Sequence, residues 1–400
     1  MIDFSPAEDS RARLARAAEL GRRFLRPLGI EADLAGAPLP PDHAFFKTLV
    51  ELGQGRTRWI PTAGSAHGEH EPKPDATGSA VSGVLLAEEM AYWDRGVVVA
   101  FPGPGLGEPP ILSMGTNDQQ QRFLGPFTEP DRPRWGAFAM TEPGAGSDVA
   151  GIQTSARKDG DDWILNGAKC FIGNASRADW IVVFATVDPS LGRGGHRAFV
   201  VEQGTAGLGD FHIEKKMGLK AYESTSFTLR DCRVPAANLL GGEEHYAHRA
   251  GFKGAMRTFN STRPMIGAMA VGMARAALDE AIRFAREHDL QGQVRVRDRL
   301  ERIHRKVRAA RLLCWRAAWL ADQERPNVTE ASMSKAVAPA IAFEAASLGM
   351  ELLGEVGGRG DHLIEKLFRD LKAMDIVEGT GQIQRLIMAR NLVDFPRDNR

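Results

Sequence analysis

Cysteine is scarce, with three in 400 residues: Cys170, Cys232 and Cys314. They lie far apart, with neither disulfide nor metal-ligand spacing. That excludes a disulfide scaffold or a zinc ribbon and points to a reduced cytoplasm. A charge excess of either sign is missing too, since 51 basic residues balance 51 acidic ones. No net field draws the chain to nucleic acid or to an anionic membrane. Apolar runs are short and interrupted, so no membrane span is expected. Met1-Ile2-Asp3-Phe4-Ser5 lacks the basic-then-apolar order of a secretory signal. There is no internal repeat and no low-complexity tract. Of the ten histidines, His67 and His70, and His245 and His248, stand three apart. Neither pair has the HExxH context of a metal helix, and no metal site is expected. What remains is a globular chain, 43% hydrophobic and 26% charged, long enough for two or three domains.

The order of periodicities divides it. Residues 6–135 read as helical: Leu14, Ala17, Ala18, Phe24 and Leu25 form one stripe, Val81 to Tyr92 a second helix carrying Glu88 and Glu89, and Gln119 to Leu124 a third, opened by Asn117-Asp118 and ended by Gly125-Pro126. The middle changes period. Trp135 to Met140, Trp180 to Ala185 and Arg197 to Val201 read as buried strands, Ser224 to Leu229 as an alternating one, and Trp163 to Gly167 as a strand and turn. Turn residues between them suggest a small β-barrel or sandwich. With no helical period intervening, a βαβ dinucleotide fold is excluded. From about residue 248 the pattern is helical again, with long helices at Met265–His288, around Leu300–Ala317, at Ser332–Leu353 and at Leu363–Met374, as in an antiparallel bundle. The expected architecture is α+β and multidomain: an N-terminal helical domain (1–134), a middle β-domain (135–245) and a C-terminal four-helix bundle (246–400).

One carboxylate stands out. Glu378 sits among apolar residues in Asp375-Ile376-Val377-Glu378-Gly379-Thr380-Gly381-Gln382. Burial raises a carboxylate's pKa toward neutrality, where it can take a proton from carbon, and glycine lets backbone approach a ligand closely. The same residues also read as an ordinary helix N-terminus with an acidic first turn.

Four stretches together resemble the acyl-CoA dehydrogenase family. They are Gly103 to Gly107 leading into Gly115 to Leu124; Ala137-Phe138-Ala139-Met140-Thr141-Glu142-Pro143-Gly144-Ala145-Gly146-Ser147-Asp148; Lys216 to Lys220 with Arg233-Val234-Pro235 and Asn238 to Gly241; and Glu365 to Asp370 running on to the Glu378 segment. The resemblance implies FAD-dependent oxidation of an acyl-CoA to the trans-2-enoyl-CoA. A glutamate, here Glu378, takes the α-proton, and the β-hydrogen passes as hydride to flavin N5. It implies that Phe138, Met140 and Thr141 line the flavin, and that Phe171 packs on it. Gly173 stands where a hydroxyl residue bonds N5. Thr380 and Gln382 are placed toward the adenosine part of FAD. For the substrate, it places Leu106 in the acyl-pocket wall, Ser147 against the CoA arm, and Thr262 and Arg263 on the substrate-site helix. Some members carry their base at the position of Thr262, which cannot serve as one. Pro102, Gly103 and the small Val377 suggest a deep or wide pocket for a long or bulky acyl group. Electron-transfer flavoprotein is the implied electron acceptor, and the assembly a homo- or hetero-oligomer, dimer or tetramer.

Two departures fall on FAD contacts made between subunits. The segment Arg286 to Gln293 lacks the family's Arg-x-x-Phe-Gly stretch, with Arg295, Arg297 or Arg299 as substitutes, and Gly354 replaces the polar residue ahead of Gly357-Gly358-Arg359-Gly360. Three readings stay open: an active dehydrogenase, an oxidase-like enzyme that uses oxygen, and a non-catalytic subunit that completes the site of a related chain.

Overall fold

The computed structural model describes residues 8–57, 80–247 and 251–393, with the side chains of 251–261 excepted. His67, His70 and His248 lie outside the described residues. Among those described, no cluster of ligands could hold a metal ion.

The N-terminal part is helical, as its periodicity indicates: α1 (Glu8–Leu20), a π-helical turn (Gly21–Leu25), α2 (Arg26–Ala35), α3 (Ala44–Glu51), α4 (Ala80–Val99), α5 (Glu108–Met114) and α6 (Asn117–Leu124). The start of α6 is set by a capping box, with the Thr116 hydroxyl accepting from Gln119 N while the Gln119 side chain accepts from Thr116 N. Helix α4 runs past the expected Tyr92 end but is broken at Asp94 (φ −163°, ψ 113°).

Seven strands form one curled sheet: β1 (Gly136–Ala139), β2 (Ser155–Asp159), β3 (Asp162–Gly173), β4 (Trp180–Thr186), β5 (His196–Glu202), β6 (Leu208–Ile213) and β7 (Ser224–Pro235). The order is β1-β4-β2-β3-β7-β6, with β5 on the other edge of β4. β1 pairs with β4 in parallel, while β3 and β7 make a long antiparallel ribbon. The expected turn at Asn166-Gly167 is a β-bulge inside β3, because Asn166 bonds across to Asp231 and holds the strand in register. One face of the sheet packs Phe45, Phe46 and Trp135, and the other packs Phe123, Phe127 and Trp180.

After α7 (Gly242–Ala247) the chain enters the bundle: α8 (Gly251–Glu287), α9 (Val294–Asp322), α10 (Val328–Leu353), α11 (Leu363–Met374) and α12 (Gly381–Leu392). The bundle thus has one helix more than the four anticipated, since α12 follows the Glu378 segment. Helix α10 also corrects the expectation about apolar length. It has 26 residues, and its most apolar window reaches a mean hydropathy of 1.4, long and apolar enough to cross a membrane. Half of that window is buried in the protein, where Ala338, Ala342, Ala345 and Ala346 pack in the bundle core.

Helix α4 joins the bundle against α8. Its Glu88, 1% exposed, lies between Arg275 (2.7 Å) and Arg311 (2.8 Å). Gly272 permits the close crossing: a methyl group there would stand 2.0 Å from the Glu88 carbonyl oxygen and 2.9 Å from Tyr92 N. Both are backbone atoms and cannot swing aside. Gly272→Ala is therefore expected to lower stability by about 1–3 kcal/mol or more, read as a drop in the thermal midpoint. An unchanged midpoint would mean that the two helices separate at no cost.

Candidate active site

Glu378 occupies the loop between α11 and α12 with φ +55°, followed by Gly379 at +93°. Two successive left-handed residues turn the glutamate inward, a conformation that costs a non-glycine residue about 1 kcal/mol or more and marks a site where side-chain direction matters. Thr380 caps α12 at Ile383 N (3.4 Å), and Gln384 Nε2 donates to Gly379 O (3.2 Å), which locks the turn. Among the described residues, no backbone carbonyl accepts from the Glu378 N–H.

The Glu378 side chain points into the interior. Thr262, buried on α8, hydrogen-bonds it, and Oε2 is enclosed with no hydrogen-bond partner among the described residues. Burial pushes its pKa up, outweighing the Thr262 hydrogen bond and the charges of Arg95, Lys335 and Arg263, which pull the other way. An enclosed, half-satisfied carboxylate with a raised pKa is suited to accept a proton from a weak acid. The structure thus brings Glu378, Thr262 and Arg263 together.

The implied flavin residues gather at the ends of β1 and β3. Thr141 O accepts from Cys170 N (3.1 Å), which places Thr141 beside Phe171, and Lys169 Nζ ties Met140 O (3.0 Å) to Glu142 (2.7 Å). Burial lowers the Lys169 pKa to about 8. Phe138 packs on Phe184. Phe171 stands out of the sheet at φ +59° and is 67% exposed. A side chain at Gly173 would face Tyr222 at 3.8 Å. These groups suit a flavin ring: an apolar flank from Met140 and Phe171, and a hydroxyl from Thr141. Tyr222 then links this wall to Glu378, because it lies in electrostatic reach of Arg95, and Arg95 in reach of Glu378.

Other implied residues lie apart. Ser147 is exposed in the loop after β1, Gln382 is exposed on α12, and Thr380 is engaged as a helix cap. Leu106 lies in a short 3-10 turn (Gly105–Gly107) beside β1 and is half exposed. Gly103 pairs through its backbone: its N–H donates to Arg134 O (2.7 Å) and its carbonyl accepts from Gly136 N (2.9 Å). Of the candidate substitutes for the missing arginine, Arg299 is paired with Glu351.

Arg95, Lys335 and Tyr222 were not anticipated. A faint signal existed for Lys335, the single charge in the apolar run Ala331 to Phe343.

Two family models match the chain: "Acyl-CoA dehydrogenase, middle domain" over residues 137–232 and "Acyl-CoA dehydrogenase, C-terminal domain" over residues 249–393. The mitochondrial short-chain specific acyl-CoA dehydrogenase of Bos taurus is 38% identical over 289 residues, 71% of this chain and 68% of that one. Among solved structures, butyryl-CoA dehydrogenase from Megasphaera elsdenii is similar with a TM-score of 0.85 at 30% identity, over 98% of this chain and 100% of that one. A glutaryl-CoA dehydrogenase in complex with glutaryl-CoA has a TM-score of 0.86 at 26% identity, over 100% and 98% of the two chains.

Proposed function

The chain belongs to the acyl-CoA dehydrogenase family, and from that premise we propose that it oxidises a saturated acyl-CoA to the 2-enoyl-CoA, with Glu378 as the base and FAD as the cofactor. The observation that carries this reading is the Glu378 carboxylate itself, buried and raised in pKa, with one oxygen unbonded. In the proposed reaction the thioester carbonyl accepts from the Glu378 N–H, which stabilises the charge that develops as the α-proton leaves. The unbonded Oε2 takes that proton while Thr262 holds the rest of the carboxylate still. FAD, when bound, supplies the acceptor for the β-hydrogen as hydride. Met140, Thr141 and Phe171 would hold its ring. Electron-transfer flavoprotein is the proposed acceptor, an oligomer the proposed assembly, and a reducing cytoplasm the compartment that suits three buried free thiols.

Purified protein is expected to be yellow, and an acyl-CoA that it accepts should bleach the flavin band near-stoichiometrically. Protein that stays colourless with added FAD would sink this reading for the isolated chain and favour the subunit role, in which a related chain completes the site.

A further inference from the structure

One buried lysine holds together the two chain segments that carry Met140, Thr141 and Phe171. β3 has one residue more than β7 between Lys169, opposite Phe227, and Ile172, opposite Thr225. This bulge turns Phe171 outward in the left-handed region (φ +59°), a backbone that a non-glycine residue keeps only where its surroundings fix it. Lys169, two positions earlier, runs inward and is 1% exposed. Its Nζ donates to Met140 O (3.0 Å) and to Glu142 Oε1 (2.7 Å). Those two acceptors flank Thr141 in sequence, and the Thr141 carbonyl accepts from Cys170 N (3.1 Å). Glu142 is fixed in turn. Its Oε2 accepts from Gln153 N (2.6 Å), its Oε1 from Thr154 N (3.0 Å), and its backbone pairs both ways with Ala145 (3.1 Å each).

A buried ion pair is a poor source of stability, since apolar residues of similar volume often serve as well. What this pair supplies is direction. Glu142 alone would balance the lysine charge. The second bond, to Met140 O, adds nothing to that balance and ties the end of β1 to the bulge. One ammonium bonded to both neighbours of Thr141 fixes the backbone that carries its hydroxyl. We propose that Lys169 is a positioning residue for the cofactor, a clasp that holds Met140, Thr141 and Phe171 in the arrangement that receives the flavin ring. This inference rests on the dehydrogenase reading above. The clasp carries a pH dependence. Burial lowers the Lys169 pKa to about 8 against the charge of Glu142. The other titratable groups facing it are Cys170 on its own strand and His196 on β5. Burial raises the thiol and lowers the imidazole, so both are neutral near pH 7–8. Loss of the lysine proton turns two charge-assisted bonds into ordinary ones. Flavin affinity is therefore complete below about pH 8 and declines above it.

The test is binding rather than turnover. The full chain, freed of flavin, is titrated with FAD by fluorescence quenching at a series of pH values on either side of about 8. Lys169→Met is expected to weaken FAD roughly 10–100-fold at neutral pH, the scale of a hydrogen bond to a charged group, with an unchanged far-ultraviolet circular dichroism spectrum. Wild-type affinity should bend downward near pH 8, and the variant should show no such bend. Glu142→Gln covers the case in which Lys169→Met does not fold. It keeps an acceptor oxygen for Lys169 but removes the charge that holds the proton there, so the bend should move to lower pH. Wild-type affinity retained by Lys169→Met overturns the proposal, as does a bend that Glu142→Gln leaves in place or a wild type with no bend. Flavin bleaching is the separate readout. A wild type that binds FAD with the bend, yet is bleached by no thioester, leaves the clasp standing and fells the dehydrogenase reading. Normal bleaching, with FAD binding that Lys169→Met leaves unchanged, does the reverse.

Discussion

Glu378→Gln is expected to keep its flavin and lose bleaching by acyl-CoA, with the rate falling by about 10²–10⁴-fold, the range for losing a positioned general base. Glutamine has nearly the same shape and can still receive the Thr262 hydroxyl, so a change in flavin content is not expected. In the wild type, bleaching should rise with pH through the raised Glu378 pKa, since only the carboxylate accepts the proton. The same shift predicts a stability effect. Burial lifts the folded-state pKa above the ordinary 4.5, so the protonated form is the one the fold favours. The stability that this proton contributes is complete below about pH 4.5 and is lost as pH rises through the folded-state value. At pH 7–8 the permanently neutral glutamine variant should therefore melt higher than wild type, and the gap should close on acidification. A variant that bleaches at the wild-type rate places the base elsewhere, and a gap that does not narrow toward pH 4.5 removes the burial argument.

Lys366→Met should be strongly destabilising, by about 3–5 kcal/mol. Lys366 is 4% exposed and bonds Asp94 and Asp370, each at 2.6 Å; Asp370 also accepts from Leu219 N at 2.5 Å. Burial opposes the lysine charge, but the carboxylates of Asp370 and Asp94 outweigh it, and its pKa stands above the usual value. Without the ammonium, two buried carboxylates face each other. Their folded-state pKa values would then lie above the unfolded ones, so the variant recovers stability as pH falls and loses it as pH rises. The double variant Lys366→Met/Asp370→Asn should recover part of the loss at neutral pH. A single variant whose thermal midpoint at pH 7.5 matches wild type would show that the cluster contributes nothing.

Much of the fold could be read from the chain, for a physical reason: burial imposes periodicity. Trp180 to Thr186 is buried at every position and reads as a strand from its apolar run alone. β2 was not anticipated because Ser155-Ala156-Arg157-Lys158-Asp159 hides only Ala156 and leaves no alternation to see. β6, an edge strand with no fully buried residue, escaped for the same reason. The site divides similarly. Glu378, Thr262 and Arg263 were legible only through the resemblance of their motifs, since the residues alone allowed a plain helix start. The burial of Lys335 showed only faintly, as the single charge in an apolar run. A cation on a helix is ordinarily solvated, and whether it is enclosed depends on chain segments hundreds of positions away.

That distance carries a consequence for how the protein is made. Asp94 and Lys366 meet across 272 positions, and this tie therefore exists only when the last helices dock on the first. Contacts of such separation form late, because loop closure must be completed before they return any energy. On a ribosome, the N-terminal helices and the sheet would emerge and collapse while the broken end of α4 still waits for its lysine. Catalytic competence in this chain is thus a property acquired at the final step of folding, and an aborted or truncated product would hold most of the architecture without the reactive centre.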